Sequence, residues 1–212
     1  TDWQGEGGLF QIPMGALIPA KLDGLLAAEK NISVSRIVNG STRLQPVTML
    51  TGQAVGALAA LSVQKKTEPR KVRVIDVQAA LLKAKSQLSL RKFEDVPDYS
   101  TSWPGVEASM LYGYMDADSE NIYGVYNEMH WIEVKDAFKR ALHTKKFPER
   151  DLTAPLTVGE FKTWLRELYK KDIKNYEDII DYMTDEDKPL TKGRLALTIF
   201  NIMKAAPEKD GK

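Results

Sequence analysis

The sequence contains no cysteine and only two histidines, His130 and His143. The missing thiols exclude disulfide bonds, thiolate nucleophiles and thiolate metal sites, and two histidines cannot build a histidine-rich metal centre. An excess of one charge is also missing, because 30 Lys and Arg residues meet 29 Asp and Glu residues. A nucleic-acid or membrane surface needs a one-signed patch, so composition gives no reason to expect either partner.

A long hydrophobic run is absent as well. The longest candidate, residues 47–63, is interrupted by Thr51, Gly52, Gln53 and Gly56, so we expect no membrane span. The first residues, starting at Thr1, show no initiator methionine, basic region or apolar leader. We therefore expect a mature product or a fragment of a longer protein.

The composition changes near Arg91. Small apolar residues dominate before it, whereas bulky aromatic and charged residues dominate after it. This change predicts two domains, residues 1–90 and residues 91–212. The predicted fold class is mainly α with a minor β part.

The first part combines extended segments with two helices. We predict extended chain over residues 9–18, a buried strand over 25–28, irregular structure over 32–38 and a turn at 39–41. A helix should begin at Pro46 and run to about residue 63, and another should cover residues 76–88. The apolar character of the first helix on nearly all sides predicts that it is buried.

The second part is predicted to be helical at residues 106–114, 132–142, 158–170, 177–183 and 192–204. Thr157 and Glu160 form a capping-box pattern, and Thr191 can cap the last helix. The stretch Pro-Leu-Thr-Val-Gly at residues 155–159 recurs as Pro-Leu-Thr-Lys-Gly at 189–193. This repeat predicts a helical unit used twice, with a third, degenerate copy ending in residues 131–142.

Residues 25–60 are the most specific stretch. Gly52, Gly56 and Ala60 follow one another at intervals of four residues, which lets a backbone lie close to another element. The start of the same helix offers free N–H groups and the positive end of a dipole, where an anion or a polarised carbonyl can bind. Taken without other evidence, such a helix also fits simple packing.

The order of apolar strand, polar connection and Thr-Gly-Gln-Ala-x-Gly-x-x-Ala-Ala helix resembles the last FAD-binding motif of flavoproteins of the glutathione-reductase-like class. The similarity is greatest to a bacterial family of FAD-dependent oxidoreductases, some of whose members are labelled xanthan lyases. The matching stretches are residues 12–19, 25–33, 39–46 and 49–56. The resemblance implies that the first part is the carboxy-terminal piece of an FAD/NAD(P)-binding α/β domain.

The resemblance implies nine cofactor-binding residues: Ala28, Glu29, Asn31, Arg43, Gln45, Pro46, Thr51, Gly52 and Gln53. Ala28, Glu29 and Asn31 would lie near the flavin, and the start of the helix would face the ring end. Arg43 is either a functional residue of the site or a structural arginine that ties a loop to a carboxylate. The chain departs from the family at Glu29-Lys30, where Gly-Arg is usual.

The sequence contains no Gly-x-Gly-x-x-Gly stretch, the loop that holds the FAD pyrophosphate in such proteins. We therefore predict that this chain binds no FAD by itself. Its expected partner is an amino-terminal FAD-binding portion of the same protein, and FAD is the cofactor of that parent. No catalytic residue and no metal site is predicted.

Residues 92–205 are similar to S-layer homology repeats, small helical units that often anchor proteins to cell-wall polymer. The motif Thr-Arg-Ala-Glu, which carries polymer recognition there, corresponds to residues 157–160 and 191–194. The arginine is missing from the first copy and replaced by Lys192 in the second. Two readings follow: a structural appendage, or a module that binds polysaccharide or cell-wall polymer on a periplasmic or extracellular protein.

Two further features have simpler readings. His130 beside Trp131 suggests a sugar platform or a helix entry next to a core tryptophan, and we favour the helix entry. The acidic residues Asp181, Asp185, Glu186 and Asp187 lack the spacing of a calcium loop, so a solvated loop is expected.

Overall fold

The structure is a computed structural model that describes residues 10–149, 151, 153–169, 176–180 and 182–206. The chain divides into two compact units, Thr1–Leu90 (unit 1) and Arg91–Lys212 (unit 2). In its described part it is built from helices, and β pairing is limited to isolated bridges. The predicted class, mainly α, is confirmed.

Unit 1 is organised by three helices, α1 (Arg36–Thr42), α2 (Gln45–Lys65) and α3 (Val74–Lys83). Pro46 stands in the first turn of α2, where the prediction placed it, because a missing N–H costs nothing there. The small core between α2 and α3 contains Leu58, Val72, Val77 and Leu81. Asp76 accepts hydrogen bonds from Lys65 and Arg73, and this ties the end of α2 to the start of α3.

The predicted extended segments of unit 1 are wrong in the described residues. Residues 14–17 form a 3-10 turn, Met14–Leu17, and residues 25–28 form no strand; Leu9 lies outside the described residues. A strand needs a ladder partner, but here two single hydrogen bonds, from the N–H groups of Ala27 and Ser33 to the carbonyl oxygens of Leu17 and Ala16, join the two segments without forming a ladder. Leu25 is 51% exposed, so this run is not buried either.

The predicted loop and turn before α2 are also wrong, because residues 36–42 form α1. Ser35 caps this helix by accepting a hydrogen bond from the Val38 N–H at 3.3 Å. A serine followed by helix-compatible residues is an N-cap signal, which outweighs the local Asn-Gly-Ser turn pattern. The α3 helix ends at Lys83 rather than at residue 88, since Lys85 adopts a left-handed conformation with φ 62°.

The prediction that α2 is buried is wrong for this chain. Its buried residues are Thr48, Thr51, Leu58 and Ser62, which follow one face. On other faces Met49 is 74% exposed and Val63 is 79% exposed. By length and composition α2 is apolar enough to cross a membrane, and 28% of its most apolar window is buried. Core helices of soluble proteins pass the same test of length and composition.

Unit 2 contains five helices in its described part: α4 (Trp103–Tyr112), α5 (Trp131–Leu142), α6 (Val158–Tyr169), α7 (Tyr176–Ile180) and α8 (Lys192–Ala205). Each overlaps a predicted helix; Lys170 and Asp181 lie outside the described residues. The capping box at Thr157 is confirmed, because Glu160 accepts from the Thr157 N–H at 3.2 Å while the Glu160 N–H donates to Thr157 Oγ1 at 3.3 Å. Thr191 caps α8 as predicted, by accepting from the Arg194 N–H at 3.4 Å.

The segments that lead into α5, α6 and α8 meet in a closed ring. The N–H of Leu156 donates to Met129 O at 3.0 Å, that of Leu190 to Leu156 O at 2.7 Å, and that of Met129 to Leu190 O at 2.8 Å. Three isolated antiparallel bridges follow the same cycle. The segment before α5 therefore takes the third place in the ring, where the sequence repeat predicts a degenerate copy.

A second packing centre in unit 2 joins α4 to α8. A β-carbon placed on Gly105 would lie 2.3 Å from the backbone nitrogen of Leu197, so the two helices touch at their backbones. The buried hydroxyl of Tyr114 donates to the carbonyl oxygens of Gly105 and Ala196, both at 3.0 Å. Burial raises the pKa of Tyr114 well above its usual range, so this hydroxyl remains a donor at any physiological pH.

Candidate functional site

The residues predicted to contact a flavin lie around the start of α2. A tight corner leads into this helix: the Arg43 N–H donates to Asn39 O at 3.2 Å and the Leu44 N–H donates to Ser41 O at 3.3 Å. No side chain caps the first turn at Leu44. The first turn therefore lacks a side-chain acceptor of its own, and its dipole favours negative charge or a carbonyl oxygen.

Arg43, Gln45 and Pro46 share this corner and are exposed. Among the described residues, the Arg43 side chain has no carboxylate within ion-pair distance, so the structure does not use it to tie a loop. An exposed guanidinium beside an uncapped helix start can bind an anion or the carbonyl edge of a ligand. The polar groups of the predicted site that are open to a ligand, the Arg43 guanidinium and the N–H groups at the start of α2, therefore lie at this corner.

Further along α2 the predicted contacts differ from one another. The Thr51 side chain is buried, and its hydroxyl donates to the Val47 carbonyl at 2.8 Å, so it is engaged within the helix. Gln53 is exposed and its Oε1 accepts a hydrogen bond from Ser86 Oγ at 2.9 Å. A β-carbon at Gly52 would meet nothing within 4 Å. Gly52 thus leaves an open approach to the helix backbone, which Thr51 does not.

The remaining predicted residues belong to a short turn that packs against α2. Ala28 precedes a 3-10 turn, Glu29–Asn31, and the Glu29 and Asn31 side chains are exposed. Glu29 has φ 62°, a left-handed conformation that favours glycine. At the position where the resembling family usually has glycine, this chain keeps a glycine-like backbone but carries a carboxylate.

Sequence reasoning missed two polar atoms at the same corner. Asn39 Oδ1 and Thr42 Oγ1 are buried and have no hydrogen-bond partner. Buried polar atoms normally have partners, so an unpartnered pair three residues apart on α1 marks this corner as incompletely satisfied. The Asn-Gly-Ser-Thr pattern gives no signal of it, because burial of these side chains depends on how α1 meets α2.

These groups fit part of a flavin site. The uncapped start of α2, exposed Arg43 and open Gly52 suit the polar edge of a ring system, and Asn39 Oδ1 and Thr42 Oγ1 are acceptors at this corner without a hydrogen-bond partner. The sequence contains no Gly-x-Gly-x-x-Gly loop of the kind that binds the pyrophosphate of FAD. In the described part of the chain no group of acidic or histidine side chains is arranged to hold a metal ion.

A separate open cleft of about 550 Å³ lies near the other end of α2. Its walls include Leu26, Ala59, Val63 and Pro69, together with Lys66 and Lys71. Glu68 stands on the same wall as the two lysines, so the cleft does not present charge of one sign. No predicted site residue lines it.

In unit 2 the cation predicted to meet a polymer is engaged inside the fold. Lys192 is buried, forms an ion pair with Asp118 and lies over the Tyr123 ring at 4.8 Å from its centroid. Arg194, the last residue of the same motif, pairs with Asp185 at 3.4 Å. Trp131 is buried and packs edge-on against Trp164, with centroids 5.3 Å apart. The helix-entry reading of His130 and Trp131 therefore agrees with the contacts.

The comparisons with known proteins bear on unit 1. The family model described as FAD dependent oxidoreductase matches residues 1–81. No curated protein and no solved structure matches the chain. The match covers the start of α2 and all nine residues that the sequence resemblance implies at the cofactor. The match supports an FAD-dependent oxidoreductase region within residues 1–81.

Proposed function

We propose that unit 1 contributes the flavin-ring side of an FAD site in an FAD-dependent oxidoreductase. The observation that carries the proposal is the family match over residues 1–81, which includes the uncapped start of α2 with exposed Arg43 and open Gly52. In this proposal the start of α2 and Arg43 bind the polar edge of the ring. Gln45 and Asn31 orient it, and the Glu29–Asn31 turn closes its side.

FAD, when bound, supplies the electron and hydride chemistry, and the protein supplies binding and orientation. The groups of unit 1 suit a positioning role, because Arg43 and the helix dipole favour negative charge on the ring. The pyrophosphate-holding part of the site is proposed to come from an amino-terminal portion of the same protein. This chain by itself is proposed to leave the site empty.

The test is to purify the protein in the full length that its gene encodes and to compare it with the 212-residue chain. We expect flavin absorbance in the full-length protein and none in the chain. Substitution of Arg43 by Ala in the full-length protein should lower flavin content, whereas Arg36→Ala, an exposed arginine on α1, should not. A full-length protein without flavin would refute the proposal, and so would flavin retained by the chain.

For unit 2 we propose a structural role, and the specific observation is the engagement of Lys192 with Asp118. A lysine that is buried in an ion pair cannot at the same time serve as the polymer-binding cation. The alternative, an anchor for polysaccharide or cell-wall polymer on a periplasmic or extracellular protein, is tested by pull-down of the chain on peptidoglycan-linked polymer. Retention on that polymer, lost in Lys192→Ala, would favour the alternative.

A further inference from the structure

One face of α2 combines large apolar side chains with glycine. Met49, Gly52, Gly56, Ala60 and Val63 are spaced by three, four, four and three residues, so they lie along one side of the helix. We name these five residues the glycine face. A β-carbon added at Gly52 or at Gly56 would meet nothing within 4 Å, and Met49 and Val63 are 74% and 79% exposed.

In the described part of the chain, the glycines of the glycine face lower the stability of α2 without allowing a close packing contact. Glycine inside a helix is less favourable than alanine, and an open face offers no packing in return. The sequence of α2 also has no charged residue before Lys65. The chain builds exposed helix faces differently elsewhere: α5 carries Glu133, Asp136 and Lys139 on its outer side while Trp131 and Phe138 are buried.

The rest of unit 1 also exposes large apolar side chains. Its exposed large hydrophobic residues are mostly aliphatic and include Ile37 at 75%, Leu44 at 56% and Leu50 at 61%. In unit 2 four of the six exposed large hydrophobic residues are tyrosines, which have a polar end: Tyr99, Tyr112, Tyr126 and Tyr182. Exposed aliphatic side chains are therefore more frequent among the described residues of unit 1 than among those of unit 2.

We propose that the glycine face is the docking surface for the portion of an FAD-dependent oxidoreductase that holds the FAD pyrophosphate; this rests on the function proposed above. Two observations select this occupant. The family match includes α2, and the sequence contains no Gly-x-Gly-x-x-Gly loop, so the part that completes the FAD site is a different segment. Its contacting element must be apolar and uncharged, and its backbone must approach α2 closely at Gly56, one turn beyond Gly52.

The experiment places alanine and leucine at Gly56 in two proteins, the 212-residue chain and the full-length protein that the gene encodes. In the chain, Gly56→Ala should raise the melting temperature by about 2–4 °C, because helix propensity improves and nothing is near. In the full-length protein, Gly56→Leu should lower the FAD content at least tenfold, because the added side chain separates the docked elements. Gln64→Leu, an exposed position outside the glycine face, is the matched control and should leave the FAD content unchanged.

The outcomes separate this inference from the proposed function. A full-length wild type without flavin refutes the proposed function. A flavin-containing wild type whose Gly56→Leu variant keeps its FAD overturns the docking surface while the function stands. A 212-residue chain that dimerises in light scattering and becomes monomeric in Gly56→Leu would assign the face to a second copy. Sedimentation of the chain with phosphatidylcholine–phosphatidylglycerol vesicles, lost in Gly56→Leu, would assign it to a lipid surface, and either result overturns the proposal.

Discussion

At the scale of single residues, the backbone of Glu29 is more informative than its side chain. A non-glycine residue at φ 62° is held in a conformation that costs about 1–2 kcal/mol. We predict that Glu29→Gly raises the free energy of unfolding of the chain by about 0.5–1 kcal/mol. Urea denaturation followed by circular dichroism measures this directly.

The control for that substitution lies two residues away. Asn31 belongs to the same 3-10 turn and does not have a positive φ. Asn31→Gly should therefore lower stability, since glycine there only adds freedom to the unfolded chain. Equal effects of the two substitutions would show that the conformation of Glu29 is not the cause.

Asp95 is a second residue whose surroundings make a prediction. Its carboxylate accepts hydrogen bonds from the N–H groups of Tyr123, Gly124 and Val125 at 2.8–2.9 Å. Burial alone would raise the pKa of Asp95, but the three donors outweigh burial and lower it. Because the folded-state pKa lies below the unfolded one, this stabilisation is present above about pH 4 and is lost as the pH falls through the folded pKa.

Asp95→Asn should cost about 2 kcal/mol at pH 7, the usual scale for hydrogen bonds to a charged group. The loss should shrink when unfolding is measured near pH 2.5, where the wild-type carboxyl is increasingly protonated. Glu94→Gln, its exposed neighbour, is the control and should change stability little at either pH. A difference between wild type and Asp95→Asn that does not depend on pH would contradict the assignment.

At the scale of secondary-structure elements, the α4–α8 contact depends on a glycine. Gly105→Ala would place a methyl group 2.3 Å from the Leu197 nitrogen and 2.6 Å from the Ala196 carbonyl carbon, where backbone cannot yield easily. We predict a loss of about 1–3 kcal/mol from this overpacking, seen as a lower denaturant midpoint for unit 2. Gly52→Ala is the matched helical control and should not destabilise the chain.

The accuracy of sequence reasoning differed between elements for a physical reason. The predictions of α5 and α6 are close because each helix has an apolar stripe, a charged outer side and a capping residue, all of which are local. The prediction of α8 is close because Thr191 caps it and apolar residues recur at helical spacing. The strands predicted before α2 are wrong because a strand is defined by its partner, and no ladder joins these segments to other residues in the described part of the chain. α1 is not predicted because the Asn39-Gly40-Ser41 pattern is typical of a turn, whereas in the structure the Ser35 cap begins a helix that includes these residues.

At the candidate site, too, features set by local sequence could be predicted, whereas features set by packing could not. The helix start at Pro46 follows from local sequence, so its position could be predicted. The corner at Arg43 could not, because it forms where α1 ends. The burial of Thr51 and the unpartnered Asn39 and Thr42 could not, because they depend on how α1 and α2 pack. The prediction that α2 is buried followed from its apolar composition, which does not show which faces have neighbours, and the glycine face is open here.

At the scale of the whole molecule, the two units differ in how much apolar surface each buries. Among its described residues, unit 1 buries eight hydrophobic residues, and four of them, Leu58, Val72, Val77 and Leu81, form the core cluster between α2 and α3. In unit 2, α8 alone buries four large hydrophobic residues, Leu195, Ile199, Phe200 and Ile202. Since stability scales with apolar area buried, unit 1 is expected to open at a lower free energy than unit 2.

Native-state hydrogen exchange on the 212-residue chain tests this difference. Amides of α8 should exchange only through global opening of unit 2, whereas amides of α2 should exchange faster although α2 is the longer helix. In the full-length, flavin-containing protein, α2 should gain protection of at least tenfold, because the glycine face is then covered, and α8 should change little. Equal protection of α2 in both proteins would show that the small core of unit 1 is sufficient to hold this helix, and that nothing docks on it.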